Sequence, residues 1–175
     1  IADHFDALLL DAFGVLNIGE APVPGAPERL AELRSLGKEL RVLTNAASFT
    51  RAQTTEKFAR LGFDFSSDEI ISSREVCETC LTDIAPTGSW GVMAPPDFDP
   101  TELPVQAMAL GDDAAVYDSA DAFLMLSTSD WSAARQGLLE DSLRRHARPV
   151  VVANPDLVAP REAGLTLEPG YYAHA

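Results

Sequence analysis

Residues 7–11 read Ala7-Leu8-Leu9-Leu10-Asp11, an unbroken apolar run that ends on an acid. This is the pattern of a short buried strand whose carboxyl end presents a polar group. An irregular stretch, 14–24, follows with two glycines and two prolines. Residues 27–37 then place Leu30, Leu33 and Leu36 on one face and close on Gly37, which predicts a helix with a C-terminal cap. Leu40-Arg41-Val42-Leu43, followed by Thr44-Asn45, reads as a second strand ending in small polar residues, and 50–61 with Gly62 behind it as a second helix. Strand, helix, strand, helix at this spacing predicts a right-handed crossover unit and an α/β fold with a parallel sheet.

Ligands of such sheets bind outside the carboxyl ends of the strands. Asp11 and the Thr44-Asn45 pair both stand there, with Ser48 and Thr50 at the start of the next helix, where free N–H groups favour an anion. That is a phosphate site in outline. A second reading stays open at this point: Asp11 caps a turn, and Thr44-Asn45 forms a local side-chain turn.

From about Arg74 the texture changes, with prolines at 86, 95, 96, 100 and 104. Beyond this boundary 91–94, 106–110, 122–126 and 149–153 are strand candidates, and 132–146 is a helix with the stripe Leu138, Leu139 and Leu143. A second α/β unit placed after the first accounts for them.

A chain of 175 residues holds one compact domain or two small ones, and 46% hydrophobic with 23% charged residues is ordinary for a folded protein. Thirteen Lys and Arg against 27 Asp and Glu leave a formal charge of -14, which repels nucleic-acid backbones and anionic membrane surfaces. The longest uncharged apolar runs, 7–10 and 150–153, fall far short of the roughly 20 residues of a membrane span. Residues 1–11 lack the basic start and cleavage site of a secretory signal, so a cytoplasmic location is expected. Cys77 and Cys80 provide neither a disulfide framework nor the four ligands of a zinc site, and read as two half-buried residues on one helix face. His4, His146 and His174 are scattered; only His174, near the end of the second unit, is placed to face a substrate. Trp90 and Trp131 read as packing residues.

Several of these pieces, in this order, resemble the haloacid dehalogenase superfamily, specifically its class IIA branch of nitrophenylphosphatase-like and sugar-phosphatase-like enzymes with a large C2-type cap. Leu8-Leu9-Leu10-Asp11-Ala12-Phe13-Gly14-Val15-Leu16 is similar to the first motif, a strand, a nucleophilic aspartate and a Gly-Val-Leu flap. Val42-Leu43-Thr44-Asn45-Ala46 is similar to the second. Pro24-Gly25-Ala26 resembles the usual link between them, and Asn154-Pro155-Asp156, after Val150-Val151-Val152-Ala153, the cap signature. The resemblance implies a Rossmann-like core with an inserted α/β cap, 1–73 forming the N-terminal part of the core and 74–175 the cap. It implies a Mg2+-dependent phosphohydrolase acting on a small phosphorylated metabolite through an aspartyl-phosphate on Asp11. Mg2+ would be held by the Asp11 carboxylate and the Phe13 backbone carbonyl, phosphate by Thr44, Asn45 and Ala46, and substrate by Asn154 and Asp156 of the cap. Class IIA caps often contribute to dimer contacts, so a homodimer is expected.

Two departures shape the expectation. Phosphatases of the family carry a general-acid aspartate two residues after the nucleophile, and Phe13 replaces it here; such an acid contributes about a hundred-fold or more in rate. An aromatic at this position also resembles the superfamily's dehalogenases, since halide departs unprotonated. A 2-haloacid dehalogenase-like hydrolase and a catalytically impaired phosphometabolite-binding protein are therefore the alternatives. The second departure is that the family's third motif, a lysine, and its fourth, an acidic pair, belong after the cap. The C-terminal part of the core that bears them is expected to lie outside a chain ending at Ala175. Gly111-Asp112-Asp113, with Asp118 and Asp121, imitates the fourth motif, but its position before Asn154-Pro155-Asp156 suits a cap strand and turn.

Overall fold

The computed structural model describes residues 2–161 and 164–174. Its elements run β1 (Ala7–Asp11), β2 (Asn17–Ile18), β3 (Ala21–Pro22), α1 (Ala26–Ser35), β4 (Glu39–Thr44), α2 (Arg51–Arg60), β5 (Ile70–Ser72) and α3 (Ser73–Ile84). They continue with β6 (Trp90–Met93), β7 (Ala107–Ala109), α4 (Ala114–Ser119), β8 (Ala122–Met125), α5 (Ala133–Arg145), β9 (Val150–Val152), β10 (Val158–Arg161), β11 (Gly164–Leu167) and α6 (Pro169–Ala173). The chain is α/β with two parallel sheets, one of order β1-β4-β5 and one of order β7-β6-β8-β9.

Local chemistry sets the first crossover. Pro27 enters α1 in its first turn, where a missing N–H costs nothing. Gly37, at φ 71°, ends it: its N–H reaches the Arg34 carbonyl and that of Lys38 the Leu33 carbonyl, a left-handed cap that a residue with a Cβ adopts only under strain. β4 then lies beside β1 in the register Leu10↔Val42 and Asp11↔Leu43.

The buried face of this sheet is lined by Leu40, Val42 and Ile70, packed on an aromatic cluster. Phe58 meets Phe63 and Phe65 edge-on at centroid distances of 6.0 and 5.5 Å, geometries worth about 0.5–1.5 kcal/mol each beyond the buried area. The expectation of a strand buried throughout is corrected here. Leu9, Leu43 and Ile71 share the opposite face and are 66%, 43% and 39% exposed. The apolar run of β1 is therefore packed on one side only.

The second sheet is covered on both sides. β6 and β8 are buried at every position, which is why they read as continuous apolar runs. Leu81 and Leu103 pack on one face; Tyr117 and Leu139 pack on the other. Trp90 is fully buried, and Trp131 donates to the Gln136 side chain at 3.0 Å, so both serve packing. Gly111-Asp112-Asp113 is a turn into α4: Asp113 caps that helix through the Ala115 N–H, and Asp112 pairs with Arg135 at 2.8 Å. Asp118 meets Ser142 and Arg145, and Asp121 accepts from Ser89. These acids thus belong to turns and surface ion pairs of the second unit. Among the described residues no helix is long and apolar enough to cross a membrane.

Candidate active site

The site is built from loops that leave the carboxyl ends of strands in both sheets. At the end of β1, Asp11 is exposed, and its Oδ1 accepts the N–H of Ala12 at 2.7 Å. The chain then folds back on itself: Gly14 N–H donates to the Asn17 carbonyl and Asn17 N–H to the Ala12 carbonyl. Gly14 takes φ 78° in this turn. Both bonds pass on either side of Phe13, whose carbonyl takes part in neither.

Thr44 ends β4, Asn45, Ala46 and Ser48 follow it, and all four line a cavity of about 110 Å3 together with Phe13. Thr44 is buried, and its Oγ1 accepts the N–H of Ala46 at 3.2 Å, which turns the loop tightly. The Asn45 carbonyl accepts from Ser73 Oγ at 2.8 Å and fixes the loop to α3. Thr50, by contrast, closes its own helix: its side chain accepts the Gln53 N–H while the Gln53 side chain accepts that of Thr50. Two of the N–H groups at this helix start, those of Thr50 and Gln53, are thus used by the capping box, while Ser48 lines the cavity.

Asn154 and Asp156, from the loop after β9, enter the same cavity. Asn45 Nδ2 donates to Asp156 Oδ2 at 2.5 Å and reaches Asn154 Oδ1 at 3.5 Å, across more than a hundred residues of chain. Asn154 Oδ1 also accepts the Asp156 N–H at 3.0 Å, and Asn154 Nδ2 donates to Glu168 Oε2 at 3.2 Å.

Thus Phe13, Thr44, Asn45, Ala46, Asn154 and Asp156 share one cavity, and Asp11 stands beside it without lining it. His174 is exposed at the end of α6 and lies outside the lining, as do His4 and His146. Three further charged residues that the sequence reading did not single out line the cavity. Lys57, on the buried face of α2 with Thr54 and Phe58, reaches Glu20 at 2.6 Å and faces the Phe49 ring. Glu168 is buried ahead of α6, and Arg161 pairs with it at 3.0 Å while its guanidinium lies 4.8 Å from the centre of the Phe13 ring. A lysine on the apolar face of an amphipathic helix is a detectable signal; Arg161 and Glu168 carried none.

The pattern of haloacid dehalogenase-like hydrolases matches residues 8–101. The chain belongs to that family. Within it, human glycerol-3-phosphate phosphatase is 57% identical over 58 residues, which are 33% of this chain and 18% of that protein. Human haloacid dehalogenase-like hydrolase domain-containing protein 2 is 28% identical over 97% of this chain and 61% of its own length. The chain thus spans under two thirds of the relatives it matches. A possible sugar phosphatase of Cytophaga hutchinsonii superposes with a TM-score of 0.86 at 21% identity, covering 99% of this chain and 63% of that one. The glycerol phosphate phosphatase of Mycobacterium tuberculosis, solved in complex with magnesium, gives 0.76 at 20% identity over 99% and 51%. The chain therefore has the fold of these two structures.

The two cysteines lie on α3, Cys77 half-buried as expected and Cys80 exposed, which corrects the expectation of two half-buried residues. Burial pushes the Cys77 thiol up to about 11, and the neighbouring Cys80 and Glu78 add to this, so Cys77 holds little thiolate near neutrality. That supports two ordinary residues over a redox pair.

Proposed function

We propose that this hydrolase cleaves a small phosphomonoester, with Asp11 as the nucleophile. The observation that carries the reading is the single cavity in which Thr44, Asn45 and Ala46, at the end of β4, meet Asn154 and Asp156 from the loop after β9. In this reading 1–73 supplies the N-terminal part of a hydrolase core and 74–175 a C2-type cap, the first sheet belonging to the one and the second to the other. The names of the relatives support a phosphorylated polyol of the glycerol phosphate kind as substrate.

Asp11 attacks phosphorus as a carboxylate, so that one hydrolysis becomes two displacements through an aspartyl-phosphate. Thr44 Oγ1 and the backbone of the 44–46 loop hold the phosphoryl oxygens, placing donors where charge develops. Asp156 and Asn154 hold the Asn45 amide, so the second sheet's loop orients the phosphate loop of the first.

A divalent ion fits the donor set at the end of β1 in kind. The Asp11 carboxylate is exposed, and the Phe13 carbonyl stands outside the turn's two backbone hydrogen bonds; both are hard oxygen ligands. Among the described residues no three His, Cys, Asp or Glu side chains cluster, and the acidic pair that the resemblance places after the cap would join water and the phosphate in the shell. Such an ion supplies charge neutralisation for the phosphoryl group.

The test is phosphate release from glycerol phosphate and an aryl phosphate by the full-length protein and by its Asp11→Asn variant. Loss of all release in the variant is the expected result; an undiminished rate would refute the nucleophile. Phe13 favours one second reading, a phosphometabolite-binding protein. Thermal stabilisation by substrate with no turnover would select it.

A further inference from the structure

We infer that Arg161 takes over the task of the missing general acid, stabilising the negative charge on the leaving oxygen where Phe13 cannot protonate it. This rests on the phosphohydrolase reading and deepens it. A phenyl side chain transfers no proton, yet its face attracts a cation, and the Arg161 guanidinium lies 4.8 Å from the centre of that face. Phe13 therefore removes an acid and, at the same place, seats a permanent positive charge.

The position of Arg161 suits the bridging oxygen of a phosphomonoester. It lines the cavity that holds Thr44 and Asn45, and it also lines a second, larger cavity of about 640 Å3. That cavity lies at the carboxyl ends of β6 and β8, against Pro95, Asp97, Thr128 and Ser129. With the phosphoryl group in the first cavity and the leaving group in the second, the bond to be broken crosses the boundary that Arg161 occupies. Lys57 stands on the same boundary and is paired with Glu20 at 2.6 Å as Arg161 is with Glu168, but it lies over the Phe49 ring and not over Phe13.

The guanidinium is preorganised. Its Nη2 donates to the buried Glu168 at 3.0 Å and its Nε to Thr166 Oγ1 at 3.3 Å. Glu168 accepts in turn from Asn154, which contacts Asn45, so the charge is fixed relative to the phosphate loop. An oriented donor of this sort is worth about a hundred- to a thousand-fold in rate, the same order as a general acid.

The step balances without an internal proton donor. The Asp11 carboxylate oxygen forms the bond to phosphorus as the bond from phosphorus to the bridging oxygen breaks, and its electron pair stays on that oxygen as an alkoxide beside Arg161. The alkoxide takes a proton from water, and the resulting hydroxide cleaves the aspartyl-phosphate to inorganic phosphate and free carboxylate.

The experiment compares an alkyl phosphate, glycerol phosphate, with p-nitrophenyl phosphate, whose leaving group is stable as an anion. Turnover is measured with Mg2+ for the full-length wild type, Arg161→Gln and Phe13→Asp/Arg161→Gln. Arg161→Gln is expected to lower kcat on the alkyl ester by about a hundred-fold and on the aryl ester by under about five-fold, and Phe13→Asp is expected to restore the alkyl rate in its background. An equal fall on both esters, or none on either, would overturn the role of Arg161. Turnover of neither ester by wild type would instead overturn the phosphohydrolase reading, and the inference with it.

Discussion

The amide of Asn45 donates to the carboxylate of Asp156 at 2.5 Å and so ties the loop after β4 to the loop after β9. A charge-assisted bond of this kind contributes about 1.5–3 kcal/mol when both partners are oriented. The contact predicts non-additivity. Asn45→Ala and Asp156→Ala, measured singly and together by urea denaturation, are expected to show a coupling of about 1–2 kcal/mol. Simple additivity would mean that the two loops are held by other contacts.

A second expectation concerns Gly170, in α6. A Cβ built there would stand 2.0 Å from the Pro155 carbonyl oxygen and 2.6 Å from that of Asp156, both rigid backbone atoms. Alanine in place of helical glycine ordinarily stabilises by about 1 kcal/mol. Here the sign reverses: Gly170→Ala is expected to destabilise by about 3 kcal/mol as the 155–156 backbone is forced away. An unchanged or raised denaturation midpoint would contradict the close approach.

The pair Arg34–Glu69 predicts a pH dependence. The bidentate guanidinium beside it holds the Glu69 carboxyl down at about 2, helped by the Ser66 N–H. A carboxyl depressed in the folded state stabilises fully above its unfolded value near 4.5 and loses that stabilisation as pH falls toward 2. After solvent screening the pair contributes about 1 kcal/mol. Arg34→Gln is expected to be less stable than wild type by that amount at pH 7, with the gap closing between pH 4.5 and 2 in thermal melts. A gap that persists at the acid end would assign the loss to packing of Arg34 over Phe65 instead.

The cysteines provide a chemical check. With its thiol raised to about 11, Cys77 is expected to react with an aromatic disulfide reagent far more slowly at pH 8 than the exposed Cys80. Cys77→Ser and Cys80→Ser proteins, labelled in parallel, separate the two rates. Equally fast labelling would revive the redox reading.

Much of this was legible locally. The strands of 7–11 and 40–43 and the caps at Gly37 and Gly62 depend on neighbours in sequence, so their period and punctuation announce them. Asp11, Thr44, Asn45, Asn154 and Asp156 stand at strand ends, where such sheets place their polar groups. What was hidden depends on contacts between distant segments. β5 and the β10–β11 hairpin are too short to show alternation, and α4 and α6 are single turns or little more. The exposure of Leu9 follows from what packs on the sheet, which no property of residues 7–11 records. Arg161 gains its meaning only when the hairpin brings it over Phe13, 148 positions earlier in the chain.

The most direct test of the account is to trap the covalent intermediate: the full-length protein is mixed with Mg2+ and p-nitrophenyl phosphate, quenched in acid, and the peptide spanning 7–16 is weighed. One added phosphoryl group on Asp11, absent from Asp11→Asn and released by hydroxylamine, is the predicted result. Phosphate release by the wild type with no phosphorylated peptide, undiminished in Asp11→Asn, would contradict it.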